Sequence, residues 1–251
     1  MKLYLFGGAE TDQGQAPILK QLINDVIKDI KPKQILHIPY ARIDVPKEEE
    51  EVWGEGWVER DLELEGIELL DARNEDDLAR ADKPTIFMNG GPQGDLLYEK
   101  ITSNKPLNNL VMNAGFIIGE SAGSMVIAEY RRSYRKDKVV VTKGLGILKD
   151  TIIEAHYTQR NRHQALRNEV KQSGAKYGIG IDSITAVVID TETYPNGYEL
   201  PRPALRYRRG IPLGKFVHSF VSSPIKSGYS RSLNKVLGSG LVELIKAKDL
   251  K

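Results

Sequence analysis

The chain has 251 residues, of which 40% are hydrophobic and 28% are charged, a composition typical of a soluble globular protein. Its formal net charge of +2 gives no general electrostatic reason to bind nucleic acid or an anionic membrane. The absence of cysteine excludes disulfides, thiolate metal sites and a cysteine nucleophile. No apolar run approaches transmembrane length, and the short apolar N-terminus resembles a first strand, so we expect a cytoplasmic protein.

Apolar runs that alternate with amphipathic segments predict a mostly parallel sheet flanked by helices. The strands expected at 3–6 and 34–39 flank a helix at 17–30 whose apolar residues share one face, the pattern of a parallel crossover unit. The basic stretch 130–138 is expected to form a solvated loop. No repeat or linker divides the chain, so we expect a single domain over 1–251. Further strands are predicted at 67–71, 85–88, 116–118, 177–182, 185–189 and 215–221, further helices at 74–81, 107–114 and 165–172, and a last strand or helical turn at 241–246.

A serine between two glycines follows the strand that starts at residue 116. Gly119-Glu120-Ser121-Ala122-Gly123 has the G-x-S-x-G pattern of a nucleophile elbow, a tight turn that projects the serine hydroxyl above the edge of a sheet. The N–H of Ala122 then lies at a helix N-terminus, where it has no intrahelical partner and can donate to an oxyanion. A plain Gly-Ser turn between a strand and a helix is the alternative.

A glycine-rich loop, Asn89-Gly90-Gly91-Pro92-Gln93, follows the predicted strand 85–88. Open α/β sheets bind ligands at the carboxyl ends of their parallel strands, so the N–H groups of this loop can supply a second oxyanion donor. A plain turn is again the alternative. Neither the phosphate-loop pattern nor the dinucleotide-binding pattern occurs in the chain, and we expect no cofactor.

His156 ends an apolar run at 151–157, so it also lies at the end of a predicted strand. Arg160 and Arg162 follow it, and guanidinium groups beside a candidate general base are suited to bidentate binding of a substrate carboxylate. A histidine in such a position can instead pack or hydrogen-bond locally. The chain lacks HExxH and any clustered His/Asp/Glu ligand set, so no metal site is expected.

Five segments resemble peptidase family S51, which contains peptidase E (dipeptidase E) and cyanophycinase, and they occur in the order of that family. The histidine segment, with its Gln-Arg-x-Arg ending, is most similar to the cyanophycinase version. The resemblance covers residues 3 to about 190, and 191–251 carry no recognised motif. The segments are Leu5-Phe6-Gly7-Gly8-Ala9, Asn89-Gly90-Gly91-Pro92-Gln93, Gly119-Glu120-Ser121-Ala122-Gly123, Glu154–Arg162, and Gly178–Asp182 followed by Thr185-Ala186.

This resemblance implies an α/β fold similar to class I glutamine amidotransferases, with a serine nucleophile at the elbow. Ser121 would be the nucleophile and His156 the general base, and the N–H groups of Gly91 and Ala122 would form the oxyanion hole. A histidine with an ordinary pKa of about 6.5 can accept the serine proton near neutral pH and return it to the leaving amine.

The third catalytic residue stays open. In the family a glutamate orients the histidine, and the matching position in this chain is Ser183. Asp182 precedes it, although neighbouring residues of a strand point to opposite faces. Asp137 lies near the spacing of another family candidate. The third member is therefore Asp137, Asp182, Ser183 or absent, and losing an orienting acid can lower turnover about 10⁴-fold.

Members of the family cleave after an aspartyl residue, either in Asp-x dipeptides or in the β-Asp-Arg polymer cyanophycin. The resemblance thus implies a serine-type exopeptidase or dipeptidase for short peptides, a monomer or homodimer, with Arg160, Arg162 and Gln93 as candidate substrate-binding residues. A cyanophycinase-like hydrolase and a catalytically weak binding protein on the same fold are alternatives. An α/β-hydrolase esterase would place its histidine late in the chain, where His218 is the candidate.

Overall fold

The structure is a computed structural model that describes residues 1–135, 138–194, 235–238 and 240–250. Its strands are β1 (Lys2–Phe6), β2 (Gln34–Ile38), β3 (Glu68–Asp71), β4 (Thr85–Met88), β5 (Phe116–Glu120), β6 (Ala128–Arg135), β7 (Lys138–Lys143), β8 (Leu148–Ala155), β9 (Tyr177–Ile181), β10 (Thr185–Asp190), β11 (Lys235–Gly238) and β12 (Val242–Lys246). Its α-helices are α1 (Ala16–Ile30), α2 (Glu50–Trp53), α3 (Trp57–Asp61), α4 (Glu75–Arg80), α5 (Gly94–Ser103), α6 (Lys105–Met112), α7 (Ala122–Met125) and α8 (His163–Ser173).

The larger sheet has seven strands in the order β11-β10-β1-β5-β4-β2-β3. The five strands from β1 to β3 in this order run parallel, whereas β10 and β11 are antiparallel to their neighbours. Alternate residues of β1 enter different cores: Leu3 and Leu5 pack on one face, and Tyr4 and Phe6 pack on the other. Because both faces are covered, the strands read as continuous apolar runs. The predicted fold class, a mostly parallel sheet flanked by helices with an elbow after β5, is confirmed.

A second sheet, of order β12-β9-β8-β6-β7, lies after the elbow. It corrects the expectation of a solvated loop at 130–138, because β6 and β7 pair as an antiparallel hairpin with Arg135 opposite Lys138. The basic side chains of β6 are stabilised by partners that the sequence does not reveal. Arg131 pairs with Asp95, and the Nε of Arg132 donates to Glu154 at 2.9 Å.

Three strand ends meet beside the loop that follows β1. The Phe6 carbonyl accepts the Ser121 N–H at 2.9 Å, and the Gly7 carbonyl accepts the His156 N–H at 3.0 Å. One residue on, the Gly8 carbonyl accepts the Ile184 N–H at 2.7 Å. The residues that follow β5 and β8 and the residue that precedes β10 are therefore held by consecutive carbonyls of one short segment.

Several expectations concern residues outside the described part of the chain, namely Asp137, the strand at 215–221 and His218. Within the described ranges, no helix has both the length and the apolar character that crossing a membrane requires.

Candidate active site

Ser121 lies at the apex of a strained turn between β5 and α7. Its φ of 51° and ψ of −107° are unusual for a residue with a side chain, and such strain persists only where surrounding structure imposes it. A Cβ on Gly123 would overlap the Met88 carbonyl, so the second glycine of the motif is a packing requirement. Ser124 fastens the turn, because its hydroxyl lies 2.7 Å from both the Phe6 and the Gly119 carbonyl oxygens.

The Ser121 hydroxyl contacts the imidazole of His156, with Oγ 2.9 Å from Nε2. His156 directly follows β8, has a φ of 50° and is only 5% exposed. Gly8 leaves room for the pair: a Cβ there would lie 2.6 Å from both Cε1 and Nε2 of the imidazole and 3.0 Å from Cβ of Ser121. The structure thus brings together the predicted nucleophile and the predicted general base.

The second imidazole nitrogen faces a carboxylate that sequence reasoning did not select. Oε1 of Glu10 lies 2.6 Å from Nδ1 of His156, and Oγ of Ser183 lies 3.0 Å from the same nitrogen. The Ser183 hydroxyl also donates to Oε1 of Glu10 at 3.3 Å. Nε and Nη2 of Arg160 donate to the two carboxylate oxygens at 3.3 and 3.2 Å.

These contacts set the charges in the site. The hydrogen bond from His156 and those from Arg160 lower the pKa of Glu10 to about 2, so it is ionised across the physiological range. Burial lowers the pKa of His156 below its ordinary value, and the neighbouring Glu10 opposes that shift. The imidazole is therefore neutral near pH 7, which is the form that can accept a proton from a serine.

Of the two aspartates proposed as third member, Asp182 makes no hydrogen bond with His156 among the described residues. The Asp182 carboxylate accepts the N–H groups of Thr158 at 2.9 Å and Leu241 at 2.8 Å, so it ties backbone segments together. Asp137 lies outside the described residues. The available signal for Glu10 is its position: it is the first acidic residue after β1, and β1 pairs in parallel with the strand that ends at the serine.

The candidate oxyanion donors come from two loop ends. Ala122 is the first residue of α7, and Gly91 belongs to the loop after β4. Among the turn and loop hydrogen bonds of the described residues, neither N–H donates to a backbone carbonyl. By contrast, the Gly90 N–H donates to the buried carboxylate of Glu120. That bond fixes the loop beside the elbow and leaves Gly91 as its candidate donor.

The three predicted substrate-binding side chains differ in their surroundings. Nη1 of Arg162 donates to Oε2 of the fully buried Glu154 at 2.8 Å, and its side chain is 12% exposed. Gln93 accepts the Ile43 N–H at 3.0 Å, so it connects the glycine loop to a neighbouring loop. Arg160 is 47% exposed and holds Glu10 through Nε and Nη2, which leaves Nη1 without a hydrogen bond among the described residues. Of the three, only Arg160 is both exposed and in contact with Glu10, the carboxylate that faces His156.

A buried charge cluster is built around Glu154, two residues before His156 in the chain. Arg132 pairs with Glu154 at 2.9 Å and with Glu169 at 2.6 Å, and Arg162 completes the set from the other side of Glu154. Burial and the nearby charge of Glu154 raise the pKa of Glu169. The cluster is adjacent to the site because Glu154 lies near the end of β8 and His156 directly follows that strand.

A protein-family model described as peptidase family S51 matches residues 3–195. The chain belongs to peptidase family S51. This confirms the family predicted from the five sequence segments. Membership also supports the prediction that the chain is a serine-type peptidase.

Curated proteins similar to this S51 chain include cyanophycinases. Those of Synechococcus elongatus and Thermosynechococcus vestitus are each 30% identical over 150 residues, which cover 53% of this chain and 47% of the relative. That of Geminocystis herdmanii is 29% identical over 124 residues, covering 43% of this chain and 44% of the relative. The matched part spans about half the length of these relatives.

Solved structures similar to the chain include a peptidase E candidate from Listeria monocytogenes, with a TM-score of 0.50 and 17% identity over 75% of this chain and 93% of that one. A peptidase from an acI-B1 actinobacterium has a TM-score of 0.48 and 24% identity over 74% of this chain and 82% of that one. At this level of identity, the Listeria structure supports the fold.

Proposed function

We propose that this S51 chain is a serine-type exopeptidase that hydrolyses short peptides, with Ser121 as nucleophile and His156 as general base. The observation that carries the proposal is the 2.9 Å contact between Oγ of the serine and Nε2 of the buried imidazole of His156. The strained elbow supports it, because a positive φ at a serine costs about 1–3 kcal/mol and is typical of functional sites.

In the proposed reaction, Oγ of Ser121 attacks the scissile carbonyl carbon while its proton passes to Nε2 of His156. The carbonyl oxygen becomes an oxyanion that accepts hydrogen bonds from the Gly91 and Ala122 N–H groups, each worth about 3 kcal/mol at the transition state. His156 then gives its proton to the leaving amine, and the C–N bond breaks. A water activated by the same imidazole hydrolyses the acyl-enzyme and regenerates the serine.

The proposed substrate has an aspartyl residue before the scissile bond. Arg160 supports this choice, because one edge of its guanidinium holds Glu10. Its Nη1 makes no hydrogen bond within the described ranges and can donate to an incoming carboxylate. Arg162 serves the site less directly, since the buried Glu154 already occupies it. Gln93 contributes by fixing the glycine loop.

A second candidate is a cyanophycinase-like hydrolase of β-aspartyl-arginine peptides. The similarity to three cyanophycinases and the Gln-Arg-x-Arg ending of the histidine segment favour it. Both candidates use the same serine and histidine and differ in the amide that is presented to them.

The test is hydrolysis of Asp-p-nitroanilide, a panel of Asp-x and other dipeptides, and β-Asp-Arg by the wild type, Ser121→Ala and Ser103→Ala. Ser103 is an exposed serine at the end of α5 and serves as the matched control. We expect wild type and control to be equally active and Ser121→Ala to lose at least about 10³-fold in kcat.

Folded wild-type protein that turns over none of these substrates would contradict the peptidase proposal. Labelling by a fluorophosphonate separates the remaining cases. A labelled Ser121 without peptide turnover indicates a hydrolase of another substrate, whereas an unlabelled one indicates a binding protein on the same fold.

A further inference from the structure

We propose that Glu10 is the residue that positions His156, held in place by Arg160, so that the orienting acid of this site comes from the loop after β1. The inference rests on the serine hydrolase function proposed above. It assigns a role to a side chain distant in sequence from the position where an acid is expected.

The Glu10 carboxylate contacts the imidazole of His156 directly. Glu10 is the nearer of the two groups at Nδ1, at 2.6 Å against 3.0 Å for the hydroxyl of Ser183. A carboxylate only accepts hydrogen bonds, so it requires the hydrogen on Nδ1 and leaves the lone pair of Nε2 facing Ser121. Its charge also stabilises the imidazolium that forms when the serine proton is transferred, which a serine hydroxyl does far less well.

The Glu10 carboxylate is itself held in place by hydrogen bonds. Arg160 grips both oxygens, and the Ser183 hydroxyl donates to one of them. At the backbone, the Glu10 N–H donates to Oε1 of Gln15 at 3.0 Å. The Glu10 side chain is 14% exposed, so it is largely shielded from water that would otherwise compete for it.

Backbone hydrogen bonds fix the loop that carries Glu10. Two and three residues before Glu10, the Gly8 and Gly7 carbonyls accept the N–H groups of Ile184 and His156. The same segment thus places the acid and the histidine relative to each other. Position 183 is fully buried and lies 3.3 Å from Oε1 of Glu10, so a glutamate there would bring a second carboxylate against the first. A serine at 183 is compatible with an acid at position 10.

The test compares Glu10→Gln with Asp12→Asn, which removes an equal charge from an exposed side chain two residues away. We expect Glu10→Gln to lower kcat by about 10²–10⁴-fold with KM within about threefold of wild type. The acidic limb of its pH profile should move to lower pH, because the Glu10 carboxylate raises the pKa of His156 and the substitution removes it. The charge of Arg160, which lowers that pKa, and the charge of Glu120, which raises it, both remain. Asp12→Asn should match the wild type. Glu10→Asp keeps the charge but withdraws the carboxylate by one methylene, and an intermediate loss is expected.

A rescue experiment separates positioning from folding. In the Glu10→Gln background, Ser183→Glu returns a carboxylate to a position whose Oγ already lies 3.0 Å from Nδ1. We expect at least about a tenfold recovery of kcat over Glu10→Gln alone. In the wild-type background the same substitution should lower activity, since two carboxylates then compete for one site.

Failure of this inference differs from failure of the proposed function. If wild type hydrolyses peptides and Glu10→Gln does so within about threefold, with an unmoved acidic limb, the role of Glu10 is wrong and the peptidase proposal stands. If wild type hydrolyses none, NMR titration of the His156 ring decides: a fall in its pKa on Glu10→Gln supports the contact, and an unchanged pKa overturns it.

Discussion

Gly8 offers a test of the site geometry that is independent of the identity of the substrate. In Gly8→Ala the new Cβ would lie 2.6 Å from Cε1 and Nε2 of His156, whereas relaxed carbon contacts are about 3.5–4.0 Å. The imidazole must therefore retreat by about 1 Å, since the backbone of residue 8 is held by its bond from Ile184. Misplacement of a catalytic group by that amount can cost about 10²-fold, so we expect at least that loss in kcat and in the rate of fluorophosphonate labelling.

Gly14→Ala is the matched control. Gly8 and Gly14 both have positive φ, 91° and 64°, so alanine at either position pays a backbone cost of about 1–2 kcal/mol. A Cβ on Gly14 meets nothing within 4 Å. Urea denaturation should show losses of stability in both variants, while activity should fall only in Gly8→Ala. If both variants retained activity within about threefold of wild type, the close packing of Gly8 against the serine–histidine pair would be refuted.

Three further outcomes follow from the charged groups. Glu154→Gln leaves Arg132 and Arg162 without their shared carboxylate, and we expect urea denaturation to show a loss of about 3–5 kcal/mol, against at most about 1 kcal/mol for the exposed control Glu63→Gln. Folding lowers the pKa of Glu10 from about 4.5 to about 2. The ionised carboxylate therefore stabilises the folded protein fully above pH 4.5, and this contribution is lost as the pH falls toward 2. The free energy of unfolding should drop across that range in the wild type and drop less in Glu10→Gln. Asp182→Asn should reduce stability through its bonds to two backbone N–H groups and leave the pH dependence of kcat unchanged, and a shifted acidic limb would return Asp182 to the list of orienting acids.

The elements whose formation depends on local patterns were predictable. The helix expected at 17–30 is α1 (Ala16–Ile30), and the strand expected at 85–88 is β4, because amphipathic and buried periodicity carry that information directly. The helix expected at 74–81 is α4 (Glu75–Arg80), and the side chain of its N-cap residue Asn74 accepts two N–H groups of the first turn. Helix α5 was missed because it begins at Gly94, directly after the glycine-rich loop, where a further glycine does not indicate a helix start.

The misses at 130–138 and in the active site have a shared cause. In the basic strand β6, Arg131 and Arg132 pair with Asp95 and Glu154, two acids distant in sequence. Glu10 likewise acquires its place only when the sheet brings the end of β1 beside the ends of β5 and β8. The periodicity of a sequence indicates which face of a helix or strand is buried. It does not indicate which charged residue, distant in sequence, will pair with a side chain of that element.

The loop after β1 links fold and chemistry more closely than any other described segment of the site. The carbonyl of Phe6, the last residue of β1, holds Ser121, and the carbonyl of Gly7 in the loop holds His156. Gly8 supplies the space beside the two side chains, and Glu10 lies at the second imidazole nitrogen. A displacement of this loop therefore moves the nucleophile, the base and the acid together, so their mutual geometry is insulated from small movements of the surrounding helices. A substitution that distorts the loop itself, however, changes the positions of these groups relative to one another. Substitutions at residues 7–10 should accordingly reduce kcat more than they reduce stability. Substitutions in α1 or α6, which contribute to the cores on either face of the sheet, should do the reverse.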